Sequence, residues 1–96
     1  MKILAIVDLV AGVEVDSMRN DIASEVKESW ALFASGVLRE AYATATGTRV
    51  VFVLEAEDVP RANAHLGKLP LVSAGLFHLE LTELRPFTNW SMLFKR

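Results

Sequence analysis

The stretch from Val37 to Glu55 constrains this chain most. It reads VLREAYAT, a turn over residues 44–48 around Gly47, then RVVFVLE. The second half is so rich in β-branched residues that it specifies a strand, and the turn glycine makes the pair a hairpin. The flanks repeat one order on each side. Lys2 to Leu9, dense in Ile, Val and Leu and ending at Ala11-Gly12, reads as a buried strand. After it, Asp16 or Ser17 can cap a helix with apolar residues Met18, Ile22, Val26, Trp30 and Phe33 at spacings of four and three, stopped at Gly36. Beyond the hairpin, Asp58 opens a shorter helix with Pro60 in its first turn, and Ala62, His65, Leu66 and Leu69 take its inner side. An LPLVSAG connection comes next, then a last strand, Leu76 to Leu84, and a tail.

The order β-α-β-β-α-β predicts an α+β, ferredoxin-like domain over residues 1–86: a four-stranded antiparallel sheet with both helices on one face. Residues 87–96 are a C-terminal tail carrying Phe87, Trp90, Met92, Leu93 and Phe94, too short to build its own core. Composition bears on how such a sheet is closed. With 52% hydrophobic residues in 96, the chain has more apolar surface than so small an interior can hide. A half-covered apolar sheet is commonly closed by a second copy, and two facing sheets enclose a barrel-like cavity. The expectation is a homodimer or higher homo-oligomer, with the tail packed on a neighbouring subunit or over the cavity mouth.

Alternation along the strands selects candidate site residues. In the last strand Phe77, Leu79 and Leu81 share one face and are expected on the helices, leaving His78, Glu80 and Thr82 on the other. In the second strand, Glu40 and Tyr42 fall on one face with Leu38 and Thr44, and Arg39 falls with Val37, Ala41 and Ala43. If Glu40, Tyr42, His78 and Glu80 point away from the helices, they line the uncovered side of the sheet. A carboxyl in a mostly apolar cavity has its pKa raised into a useful range, a histidine shuttles protons, and a tyrosine donates to an oxyanion. Equally, a His-x-Glu on a strand is a common solvent-facing or cross-strand pair. His65 reads as a partly buried structural histidine, Asp8 as a turn acceptor or a further group on the open face, and Trp30 and Phe33 as core.

The segment from Gly36 to Pro86 resembles the muconolactone isomerase family. It carries GVLRE, the turn Gly47, VFVLEAEDV, a helix running into KLPLVSAG, and ELTELRP. The resemblance implies a dimeric α+β barrel, C-terminal tails packing across subunits, and proton transfer within an unsaturated lactone. Relatives in the wider superfamily include cyclases and monooxygenases acting on aromatic polyketides. The second strand departs from the histidine- and tryptophan-rich pattern of the isomerases, so no catalytic residue carries over.

The function expected is therefore a cofactor-independent isomerase or cyclase acting on a small lactone-like or aromatic substrate, with His78, Glu80, Tyr42 and Glu40 as candidate catalytic residues. The alternative is a binding or accessory protein of the same fold. Other classes find no support. The ten basic residues are scattered and the net charge is -2, against nucleic acid. There is no cysteine, the histidines and carboxylates lack a metal-ligand spacing, and no glycine-rich phosphate loop occurs, so neither metal nor cofactor is expected. Asp8 interrupts the N-terminal apolar run, which reads as a strand rather than a signal peptide, and no run is long enough for a membrane span. A cytoplasmic location is expected.

Overall fold

The computed structural model describes residues 1–47 and 49–94. Thr48, assigned to the hairpin turn, and the last two residues of the tail lie outside the described residues. Four strands, β1 (Lys2–Leu9), β2 (Leu38–Ala43), β3 (Arg49–Glu55) and β4 (Phe77–Leu84), form one sheet in the order β2-β3-β1-β4. Every neighbouring pair is antiparallel. With helices α1 (Ile22–Ala34) and α2 (Val59–Gly67) following β1 and β3, this is the expected ferredoxin-like α+β arrangement.

The strands sit where their β-branched runs place them. The helix side of the sheet carries Ile3, Ala5 and Val7 of β1, paired with Leu54, Phe52 and Val50 of β3 and with Glu83, Leu81 and Leu79 of β4. Ala5, Val7, Phe52 and Leu54 join Leu38, Leu66 and Leu69 in the core, with Phe77, Leu79 and Leu81 packed against it, as the alternation in β4 predicts. Strand β2 departs from simple alternation. Its pairing slips between Leu38 and Glu40, so Arg39 is the extra residue of a bulge and its Nε donates to the Gly36 carbonyl at 2.6 Å. An inserted residue reverses the facing of the residues after it. Leu38 therefore faces the helices with Ala41 and Ala43, opposite Leu54, Phe52 and Val50, whereas simple alternation puts Leu38 with Glu40 and Tyr42.

Helix α2 obeys its sequence signals closely. The Asp58 carboxylate accepts the Arg61 backbone N–H at 2.8 Å, Pro60 occupies the first turn, and Ala62 and Leu66 are fully buried. The LPLVSAG segment is more ordered than a connection. Pro70–Ser73 forms one helical turn, α3, with Leu69 and Leu71 buried on either side of Pro70. Gly75 closes it at φ +77°, a left-handed conformation that favours glycine.

Helix α1 differs most from expectation. A short 3-10 turn, Val15–Met18, comes first, and the α-helix begins only at Ile22. Along α1 the half-buried positions are Glu25, Ser29 and Leu32, and none is fully buried. The apolar stripe lies one residue later, about 100° around the helix. Its members Ile22, Val26, Trp30 and Phe33 are 50%, 63%, 66% and 46% exposed. Trp30 and Phe33, read as core from sequence, instead stack on each other at the surface with ring centroids 5.4 Å apart.

Candidate functional site

Rotation of α1 turns a polar edge toward the sheet and leaves space beneath the helix. A slot of about 260 Å³ is walled by Val7, Val50 and Phe52 of the sheet, Phe77 of β4, Leu71 of α3, and Ile22, Glu25, Val26 and Ser29 of α1. It shares Val7, Ile22, Val50 and Phe77 with an adjoining compartment of about 430 Å³ that reaches Asp8, Leu9, Met18, Gly47 and Arg49. Mostly apolar walls with a few polar groups are the usual make-up of a small-molecule pocket.

Among the described residues, Glu25 is the single ionisable group in the slot. Its Oε2 accepts the Leu71 backbone N–H at 3.2 Å. Leu71 lies in the first turn of α3, where helix geometry leaves backbone donors without partners and where Leu69 supplies no side-chain cap. Glu25 thus caps α3 from a different helix. Burial raises the pKa of its carboxyl, the Leu71 hydrogen bond opposes that rise, and the nearby Asp21 charge adds to it. At the far compartment, Arg49 Nε donates to Asp8 Oδ2 at 3.1 Å, while Asp8 Oδ1 accepts the Leu9 N–H at 3.0 Å. Sequence reasoning passes over Glu25 because it sits among charged residues on what reads as the solvent side of α1. The signal that could find it is the spacing Glu25, Ser29, Leu32, parallel to the apolar stripe and one residue out of phase.

The residues singled out from sequence all lie on the opposite, uncovered face of the sheet, and all are exposed. Glu40 and Tyr42 are there because of the Arg39 bulge, facing Val53 and Val51 of β3. His78 and Glu80 stand opposite Asp8 and Ile6 of β1. The Tyr42 hydroxyl donates to Glu40 Oε1 at 2.7 Å, and that bond, together with the Glu40 charge, raises the tyrosine pKa. The two pairs do not meet within one chain. Strands β3 and β1 lie between them, and three strand spacings put them about 14 Å apart. Between them run Leu4, Ile6, Val51 and Val53, an apolar band down the middle of the face. His65 lies half-buried on α2.

Against known proteins, no protein-family model and no curated sequence matches the chain. Solved structures do. One is a 5-chloro-2-hydroxyhydroquinone dehydrochlorinase from Burkholderia phenoliruptrix AC1100 in complex with 2,5-dihydroxybenzoquinone. It has a TM-score of 0.73 and 18% identity, over 93% of this chain and 98% of that one. A muconolactone isomerase matches with a TM-score of 0.73 and 19% identity, over 92% and 93% of the two chains. An antibiotic biosynthesis monooxygenase matches more distantly, with a TM-score of 0.54 and 14% identity, over 90% and 100%. The likeness to muconolactone isomerase seen between Gly36 and Pro86 thus extends to the fold of nearly the whole chain. No helix among the described residues is long and apolar enough to cross a membrane.

Proposed function

We propose that the protein is a cofactor-independent enzyme of the isomerase or cyclase type, moving a proton within a small cyclic substrate held between α1 and the sheet. The observation that carries this reading is the Glu25 carboxyl, half-buried in an apolar slot with its pKa raised by that burial. Shifting a double bond beside a carbonyl needs a base to take a proton from carbon and the same group, now an acid, to return it at another carbon. Glu25 serves both steps: the proton leaves carbon for the carboxylate, an enolate forms, and the proton goes back with no net change in atoms. Flat apolar walls suit a lactone or a hydroxylated six-membered ring. The similar folds of a muconolactone isomerase and of a dehydrochlorinase holding 2,5-dihydroxybenzoquinone favour the same class.

The open sheet face belongs to this reading as the surface where two copies pair, its apolar band of Leu4, Ile6, Val51 and Val53 meeting the same band of a partner. In such a pair His78, Glu80, Tyr42 and Glu40 border the space between the sheets, and the Tyr42–Glu40 hydrogen bond makes them a second candidate site. His78→Ala, Glu80→Gln and Tyr42→Phe test it. Loss of turnover in these variants with Glu25→Gln active moves the chemistry to the open face.

A binding or accessory protein is the competing reading, and the Glu25–Leu71 hydrogen bond favours it, since a carboxylate that only caps α3 needs no substrate. The experiment that separates them incubates the protein in D₂O with a panel of small lactones and hydroxyquinones, tracking deuterium entry beside the carbonyl by NMR. Exchange in wild type and not in Glu25→Gln supports the enzyme; ligand binding without exchange supports the binder.

A further inference from the structure

Taking a proton from the carbon beside a carbonyl leaves negative charge on the carbonyl oxygen, and a slot with apolar walls has to present a hydrogen-bond donor to it. Among the described residues, Glu25 and Ser29 are the two polar side chains that line the slot, and the other walls are valine, isoleucine, leucine and phenylalanine. Ser29 is half-buried and follows Glu25 by four residues on α1. Residues so spaced share one helix face, about 5–6 Å apart at Cβ. The other nearby donors are engaged: the Leu71 N–H is given to Glu25 itself at 3.2 Å, and Arg49 Nε, in the adjoining compartment, to Asp8 at 3.1 Å. Ser29 Oγ donates to the Val26 carbonyl at 2.8 Å. That carbonyl lies inside α1, where the helical ladder already brings it the N–H four residues on. The hydroxyl bond is a second one on an acceptor that does not depend on it, so the hydroxyl can turn to a ligand without leaving the carbonyl unpaired.

We infer that the Ser29 hydroxyl binds the carbonyl oxygen of the substrate and donates to it as the enolate forms, so that Ser29 is a catalytic residue beside Glu25 and a ring carbonyl is the group the slot selects. The inference rests on the reading of Glu25 as the base. The step balances: the C–H bond breaks, its proton goes to the Glu25 carboxylate, and its electron pair enters the ring and charges the carbonyl oxygen. Ser29 keeps its own proton throughout and holds that oxygen by the hydrogen bond, and the proton on Glu25 then returns to carbon. With contacts of about 2.6–3.2 Å at each end, a donor and a base one helical turn apart span a carbonyl oxygen and a nearby carbon of the same ring. Ser29 stands between the slot and a groove lined by Trp30, Phe33, Leu38 and Ala41, so the carbonyl lies at this end of the slot. The volume of about 260 Å³ exceeds the roughly 150 Å³ of a cavity that takes benzene, which leaves room for one substituted ring. Ring hydroxyls away from Ser29 would meet Val7, Val50 and Phe52 and stay unpaired. The substrate class is therefore a monocyclic unsaturated ketone or lactone with a single carbonyl, in preference to a ring bearing several hydroxyls.

The test compares wild type with Ser29→Ala, Ser29→Thr and Glu25→Gln, using cyclohex-2-enone and the unsubstituted five-membered unsaturated lactone as probes, each labelled with ¹³C at the carbonyl. The first readout is deuterium entry from D₂O. Ser29→Ala should lower kcat about 10²–10³-fold with a much smaller change in KM, the effect of removing one oxyanion donor. Ser29→Thr keeps a hydroxyl on the same carbon and should recover the rate to within about tenfold of wild type. The second readout is the infrared band of the bound ¹³C carbonyl, which a donated hydrogen bond moves to lower frequency. The band should lie lower in wild type and in Glu25→Gln than in Ser29→Ala. Alanine is the better helix former, so Ser29→Ala should melt no lower than wild type and a folding defect cannot account for its loss of rate. Exchange by Ser29→Ala within about threefold of wild type, or a bound carbonyl band that is the same with and without the hydroxyl, overturns the inference. A Glu25→Gln protein that exchanges as wild type does while the band still depends on Ser29 supports the carbonyl contact and counts against the base alone. A carbonyl band that no variant shifts from its position in free solution overturns both.

Discussion

Replacing Glu25 by glutamine separates the chemistry of this carboxyl from its place in the fold. The glutamine amide oxygen can still accept the Leu71 N–H, so α3 keeps its cap and stability should stay within about 1 kcal/mol of wild type. The base is lost completely. A general base contributes about 10²–10⁴ in rate, which at 1.36 kcal/mol per decade is about 2.7–5.5 kcal/mol of barrier. Glu25→Ala removes base and cap together. It leaves the Leu71 N–H without its acceptor, costing about 1–3 kcal/mol, toward the lower end because the site is only half-buried. For a domain of this length each kcal/mol moves the melting temperature by about 4–8 °C. Deuterium exchange by NMR and thermal melts on the same samples distinguish the variants. Glu25→Gln should melt with wild type and exchange at least a hundredfold more slowly, and Glu25→Ala should be equally slow and melt several degrees lower. A Glu25→Gln protein that exchanges within twofold of wild type refutes the assignment of the base.

The packing and the charges set three further outcomes. Leu54→Ala, at a fully buried position in the centre of the sheet, should cost about 2–5 kcal/mol in urea unfolding. Asp58→Ala removes the cap accepting from Arg61 and should cost about 1 kcal/mol without altering the slot. Stability should also respond to pH in opposite ways at two carboxyls. Glu25 has a raised folded pKa, so its contribution is greatest at low pH and declines as pH rises from the ordinary carboxylate value of 4.5 through the folded value. Glu55 has a lowered one, chiefly through its hydrogen bond from the N-terminal ammonium, so its contribution is present above 4.5 and is lost as pH falls through the folded value. Melts across pH 3 to 7 should therefore flatten in Glu25→Gln on the alkaline side and in Glu55→Gln on the acid side.

The parts of the fold that are legible in the sequence rest on local chemistry. RVVFVLE has no good alternative to a strand, and Asp58 with Pro60 marks a helix start by its own hydrogen bonding and fixed backbone angle. The errors share a different cause. In β2, the bulge at Arg39 parts Leu38 from Glu40 and Tyr42, which simple alternation puts on one face, and nothing within LREAYA announces it, because a bulge depends on the pairing of two strands. In α1, the apolar stripe has the right period and points the wrong way.

The sequence by itself determined the order of the four strands and two longer helices, the apolar face of β4 and the surplus of apolar surface, because each derives from period, propensity and composition. Only the tertiary structure decided which side of α1 meets the sheet. That choice depends on where β2, α3 and the Leu71 N–H hold the helix, contacts spanning tens of residues that periodicity does not encode. The same rotation brings Glu25 into an apolar slot and exposes the stripe, so one packing decision sets both the candidate site and an exposed apolar surface beside it.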